Sequence, residues 1–559
     1  MGGAAGTERD LRPHAAGRRA THGRRVAQLV SVALVGLGLA YLALLAWRLP
    51  DLIAALSWNS DAVSPAVLVE SPGRVGGPAV LGDTSYATTL IFDWITREVP
   101  AHRVVWALGP IALALAGAGL LGWSASRVGG RQAGIISALI VVAASPAVLL
   151  TQIAPAFHGT TWFGIALTSA ALVFAAEHPG LGRGQRTVWV ATVGLVVGLN
   201  LASDPLLGPA GLAPLVLAPL VVRGAPRARG LLVTCVAAAA AALLVAVGLL
   251  GGLYLLGVSP RRSAFTEDGV LAVVSPADLG SRVRHLPETV LALFAPGTTA
   301  GLWVAAAAVL ALLLGLRGVP ATRPDAAAAS IGRCYRAFWL SSVVLVAGAY
   351  CVSGAVSDEL SPGQGARYLV PVLYGVAALA GPWAAGDGRR RVLGAAAVGL
   401  YAGVNLAGLT GPGLPVLAAH GRLPSVAGDV QRWLADAGVS RGYAGYWDAP
   451  VMRYRMHLPV AAVVQCRSGT GHSLCPDRHS SRRDWYTPRN GPSFLLVNST
   501  PRTTHVVSVL PPAARFGRPV AGRRFGAISV WIYPYDLASR LEGPWSAQTT
   551  GDRVRRAGT

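Results

Sequence analysis

Eleven apolar stretches, each free of Asp, Glu, Lys and Arg, limit what this chain can fold into: 26–47, 104–123, 134–151, 159–176, 187–203, 207–222, 230–257, 300–316, 337–352, 368–385 and 392–409. A helix needs roughly 20 apolar residues to cross about 30 Å of hydrocarbon, and each stretch meets or nearly meets that length. Charged residues make up 13% of the 559 positions, against about 25% in a soluble domain. A soluble enzyme is excluded. No small-residue cleavage site follows the first stretch, which reads as an anchor and not as a removed signal peptide.

Arginine placement orients the stretches. With 1–25 in the cytoplasm, the inside segments are 1–25, 124–133, 177–186, 223–229, 317–336 and 386–391, and every one is basic: Arg24 and Arg25, Arg127 and Arg131, Arg183 and Arg186, Arg223 and Arg227, Arg333 and Arg336, Arg389 to Arg391. The short outside turns at 152–158 and 204–206 carry no Arg. This is the positive-inside pattern. An odd number of spans then puts the C-terminus outside the cytoplasm, in a multi-pass protein of the plasma membrane. Two outside loops are long, 48–103 and 258–299. In the first, Ser85–Val99 has Leu90, Ile91, Trp94 and Ile95 on one helical face, with Asp93, Arg97 and Glu98 elsewhere. It is either a helix lying in the membrane interface or a loop helix packed on the bundle.

The helical bundle ends near 411. From 412 to 540 the pattern is that of a small α/β domain, and 541–559 reads as a disordered tail. Ser425–Gly438 has helical spacing, and Val460–Gln465, Phe494–Asn498 and Ile528–Tyr533 are short strands. From 412 onward, tail included, there are about nineteen Arg against about eight acids, which suggests an anionic neighbour or simply a solvated surface written in GC-rich codons. The net charge of +22 does not indicate nucleic acid, because many arginines sit in loops between spans. Cys466 and Cys475 can pair as a disulfide if the domain faces an oxidising compartment. No metal-ligand spacing is present, so no cofactor is expected and a divalent metal is unsupported.

Polar residues at the outside mouths are the functional candidates. Asp61, in Trp58-Asn59-Ser60-Asp61-Ala62, can take a proton from a hydroxyl nucleophile or cap a helix. His158 opens the fourth stretch, and Asp204 precedes Pro205 in a tight turn that such a pair favours anyway. Arg367, beside Tyr368, stands outside against the charge rule. It can clamp a phosphate or snorkel to headgroups, as can Arg261 and Arg262.

This arrangement resembles the GT-C class of membrane glycosyltransferases, in particular its bacterial, actinobacterial-like members. Four features carry the likeness: an acid soon after span one, here Asp61, with an interface helix behind it; about eleven spans with a second long outside loop; Arg367-Tyr368-Leu369-Val370-Pro371, similar to an Arg-Tyr-x-x-Pro opening of a late span; and Gly445-Tyr446-Trp447-Asp448-Ala449, similar to a Tyr-Trp pattern in the outside α/β domain. The likeness implies a polyprenyl-phosphate-linked sugar donor, a cell-envelope glycan, lipid or protein acceptor, Asp61 as general base and arginines on the donor phosphate. Many members place two adjacent acids in the first loop. Here Asp61 has no acidic neighbour, and Asp83 would have to fold back to supply one. A lipid or solute transporter is the alternative, although inverted repeats and mid-span charges are missing. A noncatalytic envelope assembly protein is another.

Overall fold

A backbone inside hydrocarbon must satisfy its own hydrogen bonds, so the apolar stretches fold as helices. The computed structural model describes residues 12–542 except 71–78, 82–85, 100–101, 155–157, 223–227, 261–273, 295–325, 354–364, 387, 411–422, 469–470, 478 and 500–515. The expected span 300–316 and almost all of the tail 541–559 therefore lie outside the described residues. The helices are α1 (Arg12–Leu56), α2 (Ser60–Glu70), α3 (Tyr86–Thr96), α4 (His102–Gly129), α5 (Arg131–Val142), α6 (Pro146–Ile153), α7 (Gly159–Glu177), α8 (Arg183–Ser203), α9 (Ala213–Leu217), α10 (Ala228–Leu255), α11 (Pro276–Phe294), α12 (Ala326–Val352), α13 (Val370–Ala384) and α14 (Gly388–Thr410). Among the described residues, 7 helices are long and apolar enough to cross a membrane. The protein is a multi-pass membrane protein.

Two expected spans are broken. The stretch 134–151 divides into α5 and α6, because Ser145 caps α6 through Val148 N–H and Pro146 takes its first turn. The break frees two carbonyls that hydrocarbon cannot solvate. Tyr41 of α1 donates to Ala144 O at 2.8 Å, and Asn405 of α14 donates to Ala143 O at 2.9 Å. The stretch 207–222 runs through a π turn at Gly208–Leu212, the short α9 and a 3-10 turn at Ala218–Val222. Pro209, Pro214 and Pro219 withhold the N–H groups that a regular helix needs, and Ser342 of α12 donates to Ala210 O at 2.6 Å. Helices α4 and α5 meet backbone to backbone. A Cβ on Gly134 would lie 2.5 Å from Gly122 O, and one on Gly122 would lie 2.9 Å from Gly134 O.

After the bundle come α15 (Leu423–Asp436), α16 (Ala449–Met456) and a six-stranded sheet in the order β5-β4-β3-β7-β9-β8. Its strands are β3 (Gly442–Ala444), β4 (Val460–Ser468), β5 (Gly471–Pro476), β7 (Ser493–Asn498), β8 (Ala521–Phe525) and β9 (Ile528–Tyr533). β3 pairs parallel with β4 and β7, and the outer pairings are antiparallel. This is the expected α/β domain, with Tyr443, Phe494, Leu495 and Val530 in its core.

A second, three-stranded sheet ties the molecule together. β1 (Ala79–Leu81) of the first loop pairs with β2 (Val258–Pro260) of the second loop and with β6 (Ser481–Arg482) of the soluble domain. Open sheet edges do not occur in hydrocarbon, so these three segments share one side of the membrane. At the opposite end of the bundle, Arg127 of α4 pairs with Glu177 of α7 at 2.9 Å.

Candidate functional site

Asp61 stands in the first turn of α2 but does not cap it. Asn59 does, accepting Ala62 N–H at 3.1 Å. The Asp61 carboxylate instead receives the hydroxyl of Tyr446, which donates to Oδ1 at 2.7 Å across 385 residues of chain. Ser60 Oγ donates to Trp447 O at 2.6 Å, and Ser64 Oγ lies 3.4 Å from Tyr446 Oη. The ring of His479 meets Tyr446 edge-on with centroids 4.4 Å apart. Nearby, the Arg455 guanidinium covers Trp58 at 5.0 Å, and Trp106 of α4 meets Tyr454 at 5.6 Å. The soluble domain is thus seated on α2 through the motif Gly445–Ala449 and on α4 through Tyr454. Its acid, Asp448, points into the domain and is buried. Burial pushes its carboxyl up to about 7, and the Asn498 amide, donating at 3.3 Å, offsets this only in part.

A second cluster forms where α7, α8 and α13 end. His158 Nδ1 lies 2.5 Å from Asp204 Oδ2, and both side chains are buried. Thr161 Oγ1 donates to the same oxygen, while Oδ1 accepts Leu206 N–H at 3.0 Å in the turn expected of Asp-Pro. Burial disfavours the charge on Asp204, but the facing imidazole and these hydrogen bonds together hold its carboxyl below the usual value. The His158 ring contacts Trp162 and the edge of Tyr368, each at 5.3 Å. Arg367 lies over the Tyr368 ring at 4.8 Å and donates to its hydroxyl at 2.9 Å, both residues being in the 3-10 turn Ala366–Leu369. The sequence candidates His158, Asp204, Arg367 and Tyr368 therefore form one contiguous group. Asp83, Arg261 and Arg262 lie outside the described residues.

Helix α3 links the two clusters. It packs against α2, and its Thr88 N–H donates to Ser203 Oγ at 2.6 Å, one residue before Asp204. Of its two expected settings, its orientation fits a helix at the membrane interface. Trp94 and Ile95 are exposed while Asp93 is fully buried, so the apolar edge faces outward and the acid faces the protein. Asp93 is the carboxylate that sequence reasoning missed as a site candidate. The signal was available: an acid that lies off the apolar face of an amphipathic helix.

Cys475 is disulfide-bonded. Cys235, Cys334 and Cys351 are free, and the side chain of Cys466 lies outside those described. Among the described residues no group of three or more His, Cys, Asp and Glu side chains gathers as a metal site.

Apolar spanning helices, helices in the long loops and a seated α/β domain are the parts expected of the fold that the sequence resembles. The fold is similar to the crystal structure of ArnT from Cupriavidus metallidurans in the apo state, with a TM-score of 0.53 and 14% identity over 90% of this chain and 99% of that one. ArnT bound to undecaprenyl phosphate aligns equally well, at 0.53 with 13% identity. The archaeal oligosaccharyltransferase AglB from Archaeoglobus fulgidus, in complex with an inhibitory peptide and a dolichol-phosphate, aligns at 0.41 with 13% identity over 75% of this chain and 64% of that one. No protein-family model matches the sequence, and neither does any curated protein.

Proposed function

We propose that this protein is a membrane glycosyltransferase that moves a sugar from a polyprenyl-phosphate donor to a cell-envelope acceptor, on the side of the membrane that carries the soluble domain. The observation that carries this reading is a carboxylate, Asp61, held by a hydroxyl donor at the seam between the bundle and that domain. The GT-C fold, shared with a protein seen bound to undecaprenyl phosphate, supports a lipid-phosphate donor. In this reading Asp61 takes the proton from an acceptor hydroxyl as its oxygen attacks the anomeric carbon. The bond from that carbon to the phosphate oxygen breaks, and its electron pair leaves with the lipid phosphate. Inversion at the sugar follows from the in-line attack. Arg367 offers the guanidinium that meets the leaving phosphate, and His158 and Asp204 hold the tyrosine beside it. All these roles are filled by side chains of this chain. The basic loops support a cytoplasmic N-terminus and an outer-face reaction.

The test is sugar transfer by the purified full-length protein from a panel of polyprenyl-phosphoryl pentoses and hexoses. Asp61→Asn keeps the shape and removes the base, so transfer falls by at least about 100-fold while expression is unchanged. Full activity in that variant would overturn the role of Asp61.

A further inference from the structure

We propose that Tyr446 is a positioning residue for Asp61, so that the soluble domain completes the active site and does not merely sit beside it. This rests on Asp61 being the base.

Three observations carry it. First, α2 has no structural need for the bond. Asn59 already caps the helix, and Ser60 already bolts it to the domain through Trp447 O. The Tyr446–Asp61 hydrogen bond is additional to both. Second, Tyr446 is itself held. It is buried, its ring is met edge-on by His479 at 4.4 Å and by Trp447 at 5.3 Å, and Ser64 Oγ stands 3.4 Å from its hydroxyl. Backbone bonds from Asp448 and Ala449 N–H to Gly445 O, each 3.0 Å, close the turn that presents it. Third, β6, shortly after His479, pairs with β1 of the loop that follows α2. The donor and the carboxylate are therefore fixed to each other from both directions.

A carboxylate in the first turn of a helix rotates freely about its side-chain bonds unless a neighbour fixes it. A donor on Oδ1 removes that freedom, and a misplacement of about 1 Å costs roughly 100-fold in rate. Tyr446 donates a hydrogen bond and keeps its proton. The acceptor's proton goes to Asp61.

The experiment compares Tyr446→Phe, Ser60→Ala and Asp61→Asn in the full-length protein with the donor panel above. The expected result is a kcat about 10- to 100-fold lower in Tyr446→Phe with KM for the lipid donor unchanged. Ser60→Ala removes a clamp bond but leaves the hydroxyl in place, and retains wild-type kcat. A second measurement needs no substrate: labelling of Asp61 by a hydrophobic carbodiimide, read by peptide mass spectrometry, rises several-fold in Tyr446→Phe and not in Ser60→Ala. Wild-type kcat and labelling in Tyr446→Phe, beside an inactive Asp61→Asn, overturns the positioning role and leaves the base standing. Equal losses in Tyr446→Phe and Ser60→Ala, with raised KM, reduce Tyr446 to a domain clamp and also overturn it. Activity in Asp61→Asn overturns the underlying reading instead.

Discussion

Asp448 is a carboxyl that the fold keeps largely neutral, since burial raises it from 3.8 to about 7. Between those values the folded protein binds a proton that the unfolded chain has released. Stability from this group is therefore fully present below about pH 4 and declines as pH rises towards 7. Thermal midpoints measured from pH 4 to pH 8 should show that decline, and Asp448→Asn should flatten it. The pair His158–Asp204 makes a different demand. Both side chains are buried, so removing one leaves the other without its partner, at a cost of about 3–5 kcal/mol. Asp204→Ala and His158→Ala should each lower the midpoint, and the double variant should lose much less than the sum of the two. Additive losses would mean that the pair is not coupled. His158 and Asp204 stood out in the sequence as polar breaks in an apolar pattern, and Asp448 only as part of the Gly445–Ala449 motif. That they meet in pairs did not, because nothing in local spacing joins Asp61 to Tyr446 or His158 to Asp204. Tertiary packing of distant segments makes those contacts.

Helices were legible where hydropathy and length agreed, as for α4, α7, α10 and α14. They were misread where a second physical constraint acted. Ser145-Pro146 was a visible helix start inside the run 134–151, yet mean hydropathy passes over it. Tyr41 and Asn405, which satisfy the carbonyls at that break, lie on helices far away in sequence and carried no signal of their own. The periodicity of α3 left two readings open, an interface helix or a loop helix packed on the bundle, and the exposed Trp94 and Ile95 beside a buried Asp93 fit the first. The α4–α5 crossing yields a direct test. A Cβ on Gly134 would press on the Gly122 carbonyl at 2.5 Å, and backbone cannot yield as a flexible side chain can. Gly134→Ala should therefore destabilise the bundle by about 1–3 kcal/mol. Gly119→Ala, with nothing within 4 Å on α4, should be neutral or gain up to about 1 kcal/mol in helix propensity. Melting of the two variants in the same detergent checks the contrast.

At the scale of the whole molecule, the sheet β2-β1-β6 is the strongest constraint on topology. It brings together residues separated by 2 long stretches of helix and requires an even number of crossings between each pair of its strands. Between β1 and β2 the six apolar segments α4, α5–α6, α7, α8, 208–222 and α10 satisfy that requirement if the broken segments also cross. The arginines then decide which side is which. Single cysteines at Glu98, Val283 and Val520, all exposed, should react with an impermeant maleimide added to intact cells, once the free Cys235, Cys334 and Cys351 have been replaced. Cysteines at Arg131 and Arg183, exposed at the opposite end, should react only after the membrane is opened. Labelling of the first three together but only in opened cells would keep the sheet and invert the orientation. That would move the proposed sugar transfer to the cytoplasmic face. Split labelling among the first three would break the sheet itself, and with it the seating of the soluble domain that brings Tyr446 to Asp61.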